Sequence, residues 1–307
     1  MLSKADHHDD TSINLPELYT EEKEDEVLAF ISSEQAKLSM ERMNALPDRS
    51  TIEWIVGFLD GDGCLRLVKD KTSATVAIGQ AHTEDEPPAT LQRIHRYYGG
   101  SFNKQHGQNG ARQKWYLRIS QCAGNHTLVR AIANHGVIKA PQAALLIKFF
   151  NEGMVNREYT YKRLALLKKR YNEITVDASR LTAAYISGLF DAEGCVMIKV
   201  DSHCRLQIAQ QSSPPMLRAI LCKWPGGTIR SSINIEYCGE AGDDLLADLL
   251  QHSLGKADQL QILAQHRQDQ KDWRSEHGNK HRTGKVSQVW KAKTARRIAQ
   301  LKAMKRK

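Results

Sequence analysis

The stretch Trp54–Leu67, WIVGFLDGDGCLRL, returns later in the chain as Tyr185–Ile198, YISGLFDAEGCVMI. The leading aromatic, two glycines, two acids and the cysteine coincide in the two copies. The likeness continues outward in the same order. Ile78-Gly79-Gln80 is matched by Ile208-Ala209-Gln210, at a spacing close to that between the motifs. Pro87-Pro88 then opens PPATLQRIHRYYGG and Pro214-Pro215 opens PPMLRAILCKWPGG, two helix-like segments that each stop at paired glycines. Finally VIKAPQAALLIKFF (Val137–Phe150) is similar to LGKADQLQIL (Leu254–Leu263), which pairs Lys139 with Lys256 and Gln142 with Gln259. Matches kept in one order mean an internal repeat. Alternating apolar and polar residues around turn-like segments predict paired strands after each motif and again after each Gly-Gly. Each half therefore reads helix, two strands, helix, two strands, helix: an α+β unit, αββαββα, used twice. Two pseudo-symmetric halves in one chain suit a partner with near two-fold symmetry, as duplex DNA has.

Within the motifs, Gly57 and Gly61 stand four apart, as do Gly188 and Ala192, so one face of each predicted helix carries small residues. Such faces let two backbones approach closely. Ile55, Phe58 and Leu59, with Ile186, Leu189 and Phe190, make these helices apolar and predict a buried joint between the halves. The acids Asp60, Asp62, Asp191 and Glu193 fall at the helix ends, each pair running into a glycine expected to cap the helix. Negative charge at a helix C-terminus is disfavoured by several tenths of a kcal/mol. A divalent cation offsets that cost directly. If the helices pair in parallel, Asp62 and Glu193 meet at one end in an oxygen-only site suited to Mg²⁺ rather than to zinc.

The rest of the sequence sets the class. With 307 residues there is room for two domains and a substantial core. A formal charge of +9 understates the basic body, because residues 1–50 are rich in acids (Asp9, Asp10, Glu17, Glu21, Glu22, Glu24, Asp25, Glu26). A basic body points first to nucleic acid as partner and only distantly to a membrane surface. No stretch is long and apolar enough to predict a membrane span, and the start lacks the layout of a secretory signal, so an intracellular protein is expected. Six scattered cysteines without a C-x-x-C pair disfavour a zinc module and a disulfide framework, leaving reduced, mostly buried thiols.

The nonapeptides IVGFLDGDG (Ile55–Gly63) and ISGLFDAEG (Ile186–Gly194) resemble the paired motifs of double-motif, single-chain LAGLIDADG homing endonucleases. The resemblance covers roughly residues 51–268. It implies two repeats, each with a four-stranded antiparallel sheet, forming a DNA-binding saddle and joined at the paired motif helices. It also implies that Asp62 and Glu193 bind catalytic Mg²⁺, whereas Asp60 and Asp191 end the helices and shape the backbone. Gln80 with Lys139, and Gln210 with Lys256, are the implied residues that order water at each scissile phosphate. The implied activity is a staggered double-strand cut in a long, specific site, with 3′ overhangs, by a monomer of chloroplast or mitochondrial origin. Using Asp in one half and Glu in the other departs from strict symmetry and suggests unequal strand rates.

On this reading the layout is an acidic extension (1–50), a first repeat (51–155), a basic linker with helical character (156–180), a second repeat (181–268) and a basic tail (269–307). Strand faces turned to DNA would carry Arg66, Asp70, Thr75, Lys104, Arg112, Lys114 and Arg118 in the first half. Lys199, Asp201, His203, Arg205, Gln207, Arg230, Ser232 and Asn234 are the candidates in the second. Arg and Lys suit guanine and Gln suits adenine in the major groove. The basic tail, with Trp273 and Trp290, reads as a phosphate-contacting segment or a solvated one. Two further readings stay open: an intron maturase binding intron RNA on the same fold, and a non-catalytic DNA-binding regulator.

Overall fold

The computed structural model describes residues 47–68, 73–106, 113–120, 123–152, 156–199, 203–210, 213–277 and 284–304. The first repeat opens with α1 (Arg49–Asp62), started by Asp48, whose carboxylate accepts from the Thr51 amide at 2.6 Å. It continues through β1 (Gly63–Leu67), β2 (Ala74–Ala81), α2 (Ala89–Tyr98), β3 (Ser101–Gln105) and β4 (Lys114–Ser120). The helices α3 (Ala123–His135) and α4 (Ala140–Asn151) close it, and α5 (Arg157–Lys169) follows. The second repeat is α6 (Ala183–Glu193), β5 (Gly194–Ile198), β6 (Cys204–Ala209), α7 (Pro214–Lys223), β7 (Thr228–Arg230), β8 (Asn234–Cys238), α8 (Asp243–His252) and α9 (Ala257–His277), followed by α10 (Gly284–Met304). Each repeat thus closes with two helices where the sequence pattern predicts one. The added members, α3 and α8, precede the last pair of repeated segments and share no residue pattern that would reveal them.

The two sheets have the same antiparallel order, β1-β2-β4-β3 and β5-β6-β8-β7. Their registers agree: Gly63 pairs with Ile78 in one and Gly194 with Ile208 in the other. On each sheet one set of alternating residues is buried, Leu65, Leu67, Val76, Ile78, Leu117 and Ile119 in the first and Val196, Ile198, Leu206, Ile208, Ile235 and Tyr237 in the second. Burial of one such side chain contributes about 1.5–3 kcal/mol.

The joint between the repeats is the pair α1 and α6, the most extensively packed pair of helices in the molecule. A Cβ on Gly57 would lie 2.0 Å from the Tyr185 carbonyl oxygen, and one on Gly188 would lie 1.9 Å from that of Trp54. Only glycine permits this approach. Further along, Gly61 faces the side chains of Ala192 and Glu193, so the helices end together. Gly63 and Gly194 terminate them in extended rather than left-handed conformation (φ −78° and −80°). The strand therefore starts directly from the last helical turn, without the left-handed cap the glycines suggested.

The linker and tail segments contain corresponding elements. α5 packs on edge strand β1, with Arg157 donating to the Val68 carbonyl at 2.6 Å and Lys168 Nζ lying 3.3 Å from Cys64 Sγ. α10 packs on edge strand β5 and on α9. Trp290 is buried there, stacked on His266 at 5.4 Å between centroids, and Leu301 is buried as well. The thiols depart from expectation: among the described cysteines only Cys204 is buried, Cys64 and Cys195 are half-buried, and Cys222 and Cys238 are exposed. The last two stand near the ends of α7 and β8, where the small side chain meets solvent.

Candidate active site

The first acid of each motif is fully engaged in structure. The Asp60 carboxylate accepts from the amides of Val137, Ile138 and Lys139 at 2.8–2.9 Å and from the Tyr185 hydroxyl at 2.6 Å. The Asp191 carboxylate accepts from the amides of Leu254 and Lys256 at 2.7 and 2.9 Å, from the Ser253 hydroxyl, and from Trp54 Nε1 at 3.0 Å. Each acid thereby fixes the turn that begins the last helix of its own repeat. Each also takes a bond from the aromatic that leads the other motif, so Trp54 and Tyr185 cross the joint in opposite directions.

Those turns deliver the two lysines. Lys139 Nζ donates to the Asp60 carbonyl at 2.5 Å. Lys256 Nζ donates to the carbonyl of Phe190 at 2.8 Å and to that of Asp191. Each lysine thus supplies positive charge to the negative end of a motif helix. Burial lowers the pKa of both, against the pull of the neighbouring carboxylates.

The second acids, Asp62 and Glu193, hold no backbone turn and stand half-buried between the lysines. Burial raises the pKa of Asp62, opposed by Lys256, Lys139 and a hydrogen bond from Gln80. Burial also raises that of Glu193, and the neighbouring Asp62 carboxylate raises it further, while both lysines oppose. Asp62, Gln80, Lys256 and Thr90 line one cavity of about 860 Å³, together with Asp191 and Cys195. The same Asp62 lies at the edge of a groove over the open face of the first sheet, beside Arg66, Asn103, Tyr116 and Arg118.

No protein-family model matches the chain, and no curated protein sequence does. Among solved structures, the meganuclease I-SmaMI bound to uncleaveable DNA is similar with a TM-score of 0.54 at 13% identity, covering 79% of this chain and 96% of that one. The LAGLIDADG meganuclease I-AabMI bound to uncleaved DNA gives 0.50 at 18% identity, over 72% of this chain and 92% of that one. The LAGLIDADG homing endonuclease I-GzeII, in complex with its DNA target, gives 0.50 at 12% identity, over 81% and 97%. The chain has the LAGLIDADG homing-endonuclease fold.

On each sheet the residues that alternate with the buried set face away from the core, and strand register shows which side chains these are. Arg66 pairs with Thr75, and Thr75 with Ser120, across the first sheet. Arg66, Lys114 and Arg118 are exposed there, whereas Thr75 is buried beside α5. Asn103 and Tyr116 form a cross-strand pair on the same face, a pair that sequence pattern did not single out. Lys104 has the opposite parity: it bonds Asp85 at 2.6 Å and lies over the Trp115 ring. In the second sheet Arg205, Gln207, Asn234 and Arg230 share the open face with Met197, Thr228 and Glu236, which sequence pattern did not single out either. Glu236 accepts from Arg205 at 2.7 Å and lies 3.7 Å from Arg230, so part of this face is already charge-paired. Lys199 and His203 are exposed at the β5–β6 hairpin, and Ser232 in the β7–β8 turn at φ +57°. Asp70, Arg112 and Asp201 lie outside the described residues.

The motif ends suit a hard cation. Among the described residues no group of three or more His, Cys, Asp or Glu side chains is placed to hold a metal. Magnesium ordinarily takes one or two carboxylates and completes its shell with water and substrate phosphates. Asp62 and Glu193, close enough that the Asp62 carboxylate raises the pKa of Glu193, could supply those two carboxylates.

Proposed function

We propose that the protein is a site-specific DNA endonuclease of the homing type, cutting both strands of a long duplex site by metal-dependent phosphodiester hydrolysis with a staggered, 3′-overhang cut. One observation carries the reading. The two motif helices end side by side on Asp62 and Glu193, the motif acids that are not tied to a backbone turn, at the margin of an open strand face bearing exposed arginines. Paired acids over a basic, groove-shaped surface fit a phosphodiester substrate better than a small molecule. Likeness of fold to DNA-bound nucleases supports the same choice.

Asp62 and Glu193 would hold Mg²⁺, which when bound supplies an activated water and stabilises developing charge on the leaving 3′ oxygen. The protein's own contribution is position and charge. Gln80 lines the same cavity as Asp62, and Lys139 and Lys256 keep positive charge beside both acids, where an incoming phosphate adds negative charge. Arg66, Lys114 and Arg118 in one half, and Lys199, Arg205, Gln207, Arg230 and Asn234 in the other, are the residues proposed to contact DNA, bases through the open faces and phosphates at their margins. One chain supplies both half-sites, so a monomer suffices.

The test is cleavage of a randomised duplex library with Mg²⁺ by wild type, Asp62→Asn and Glu193→Gln. Specific double-strand cuts by wild type, abolished or reduced to nicks in the variants, are expected. Specific binding without cutting by wild type would replace this reading with a DNA-binding regulator, and binding of structured RNA alone would replace it with a maturase.

A further inference from the structure

The strand registers align the two open faces residue by residue. The row led by the closing glycine of each motif runs Gly63, Ile78, Leu117, Phe102 in the first sheet and Gly194, Ile208, Ile235, Ile229 in the second. The next row is Cys64, Ala77, Arg118, Ser101 in the first and Cys195, Gln207, Glu236, Thr228 in the second. The repeated Gly-Gly gives the same alignment, since Ser101 and Thr228 each follow that pair. One pseudo-symmetric position in the middle of the open face therefore carries Arg118 in one half and Glu236 in the other. The charge is inverted.

Arg118 is exposed and forms no ion pair among the described residues. Glu236 is enclosed, with only 11% of its side chain exposed. Its Oε1 accepts from Arg205 Nη1 at 2.7 Å, and its Oε2 lies 3.7 Å from Arg230 Nε. A lone carboxylate on a surface that receives phosphates would repel them. Bridged between two arginines, it cancels part of their charge instead, so this face attracts the DNA backbone less strongly. It also holds the Arg205 guanidinium in one orientation before DNA arrives. A free arginine loses much rotamer freedom on binding, whereas one already held loses less. The guanidinium carries several N–H donors, and the carboxylate leaves others for the O6 and N7 acceptors of guanine.

We propose that Glu236 is a specificity-determining residue: it presents Arg205 to a guanine in the half-site under the second sheet and makes that half more discriminating than the half bearing Arg118. This rests on the DNA-binding part of the reading above, so the test measures binding rather than cleavage. A randomised duplex pool is selected on the full chain in Ca²⁺ in place of Mg²⁺, with wild type, Glu236→Gln and Arg205→Gln compared. Wild type is expected to prefer guanine at one position of one half-site by about tenfold or more. Arg205→Gln should turn that preference to adenine, the base that glutamine suits. Glu236→Gln should cut the guanine preference to about threefold or less and leave the bases selected by the other half unchanged. Its affinity for random duplex should rise about threefold, because a negative charge near the phosphates is gone. Thermal midpoints within a few degrees of wild type would separate a lost base contact from a lost fold. Unchanged guanine preference in Glu236→Gln, uniform weakening on every duplex, or guanine retained by Arg205→Gln would overturn the proposal while leaving the endonuclease reading in place. A wild type that selects no sequence would overturn the endonuclease reading itself, and the proposal with it.

Discussion

At the scale of single residues, the two acids of each motif do opposite work although they stand two positions apart. Asp60 holds three backbone amides and a tyrosine hydroxyl, so Asp60→Ala strands buried donors in the turn that delivers Lys139. Disruptions of buried networks of this kind cost about 3–5 kcal/mol, and urea denaturation should show a drop of that order. Asp62 and Glu193 behave in reverse. Their folded pKa values lie above the ordinary carboxylate values, mainly through burial. The folded protein therefore holds protons there that the unfolded chain has already released. Ionising the pair weakens the fold as pH rises through the raised values, and that penalty disappears again as pH falls towards the unfolded values. The Asp62→Asn/Glu193→Gln protein should accordingly melt a few degrees higher than wild type at pH 7 in EDTA. The gain should vanish near pH 4. A double variant that is less stable at pH 7 would mean that the lysines depend on the acids more than burial disfavours them. Mg²⁺ affinity, which needs the ionised acids, should fall across the same window, measurable by calorimetry.

At the scale of elements, the motif helices were legible in the sequence because close packing leaves a direct mark: glycine where a Cβ has no room. Gly57→Ala places a methyl 2.0 Å from the Tyr185 carbonyl oxygen, and α1 and α6 must part to admit it. The cost should reach about 3 kcal/mol or more, seen as a large fall in thermal midpoint together with abolished cleavage. Strand faces were legible only where alternation stayed clean. Arg66, Arg118, Arg205 and Gln207 alternate strictly with buried neighbours and so occupy the open faces. Lys104 could not be assigned from pattern alone, because β3 is short and carries polar residues on both faces; its pairing with Trp115 decides the matter. The crossing bonds from Trp54 to Asp191 and from Tyr185 to Asp60 left no sequence signal beyond a repeated aromatic. The correspondence of linker and tail left none, since α5 and α10 share a place in each repeat without sharing a residue pattern.

At the scale of the whole molecule, that correspondence gives the basic tail two separable jobs. One is packing. Trp290 stacks on His266 and lies 5.7 Å from Trp273, Leu301 is buried, and Asp269 in α9 takes both Arg297 at 2.9 Å and Lys293 at 3.1 Å. Deleting residues 284–307 removes all of this packing at once and uncovers edge strand β5, so the second repeat should become less heat-stable by several degrees. The other job is charge. Lys291, Arg296 and Lys302 are exposed on α10 and take no part in that packing. Replacing those three with glutamine should leave the melting temperature within about a degree of wild type. If they meet DNA phosphates, affinity should fall and the plot of log affinity against log salt should become shallower by about 0.9 for each phosphate no longer neutralised. The weakening should be equal for specific and random duplexes, because pairing with a phosphate carries no sequence information. An unchanged slope would assign α10 to stability alone and place the phosphate-binding charge on the open faces and on α5, where Lys162 and Lys169 are the exposed basic residues to replace next.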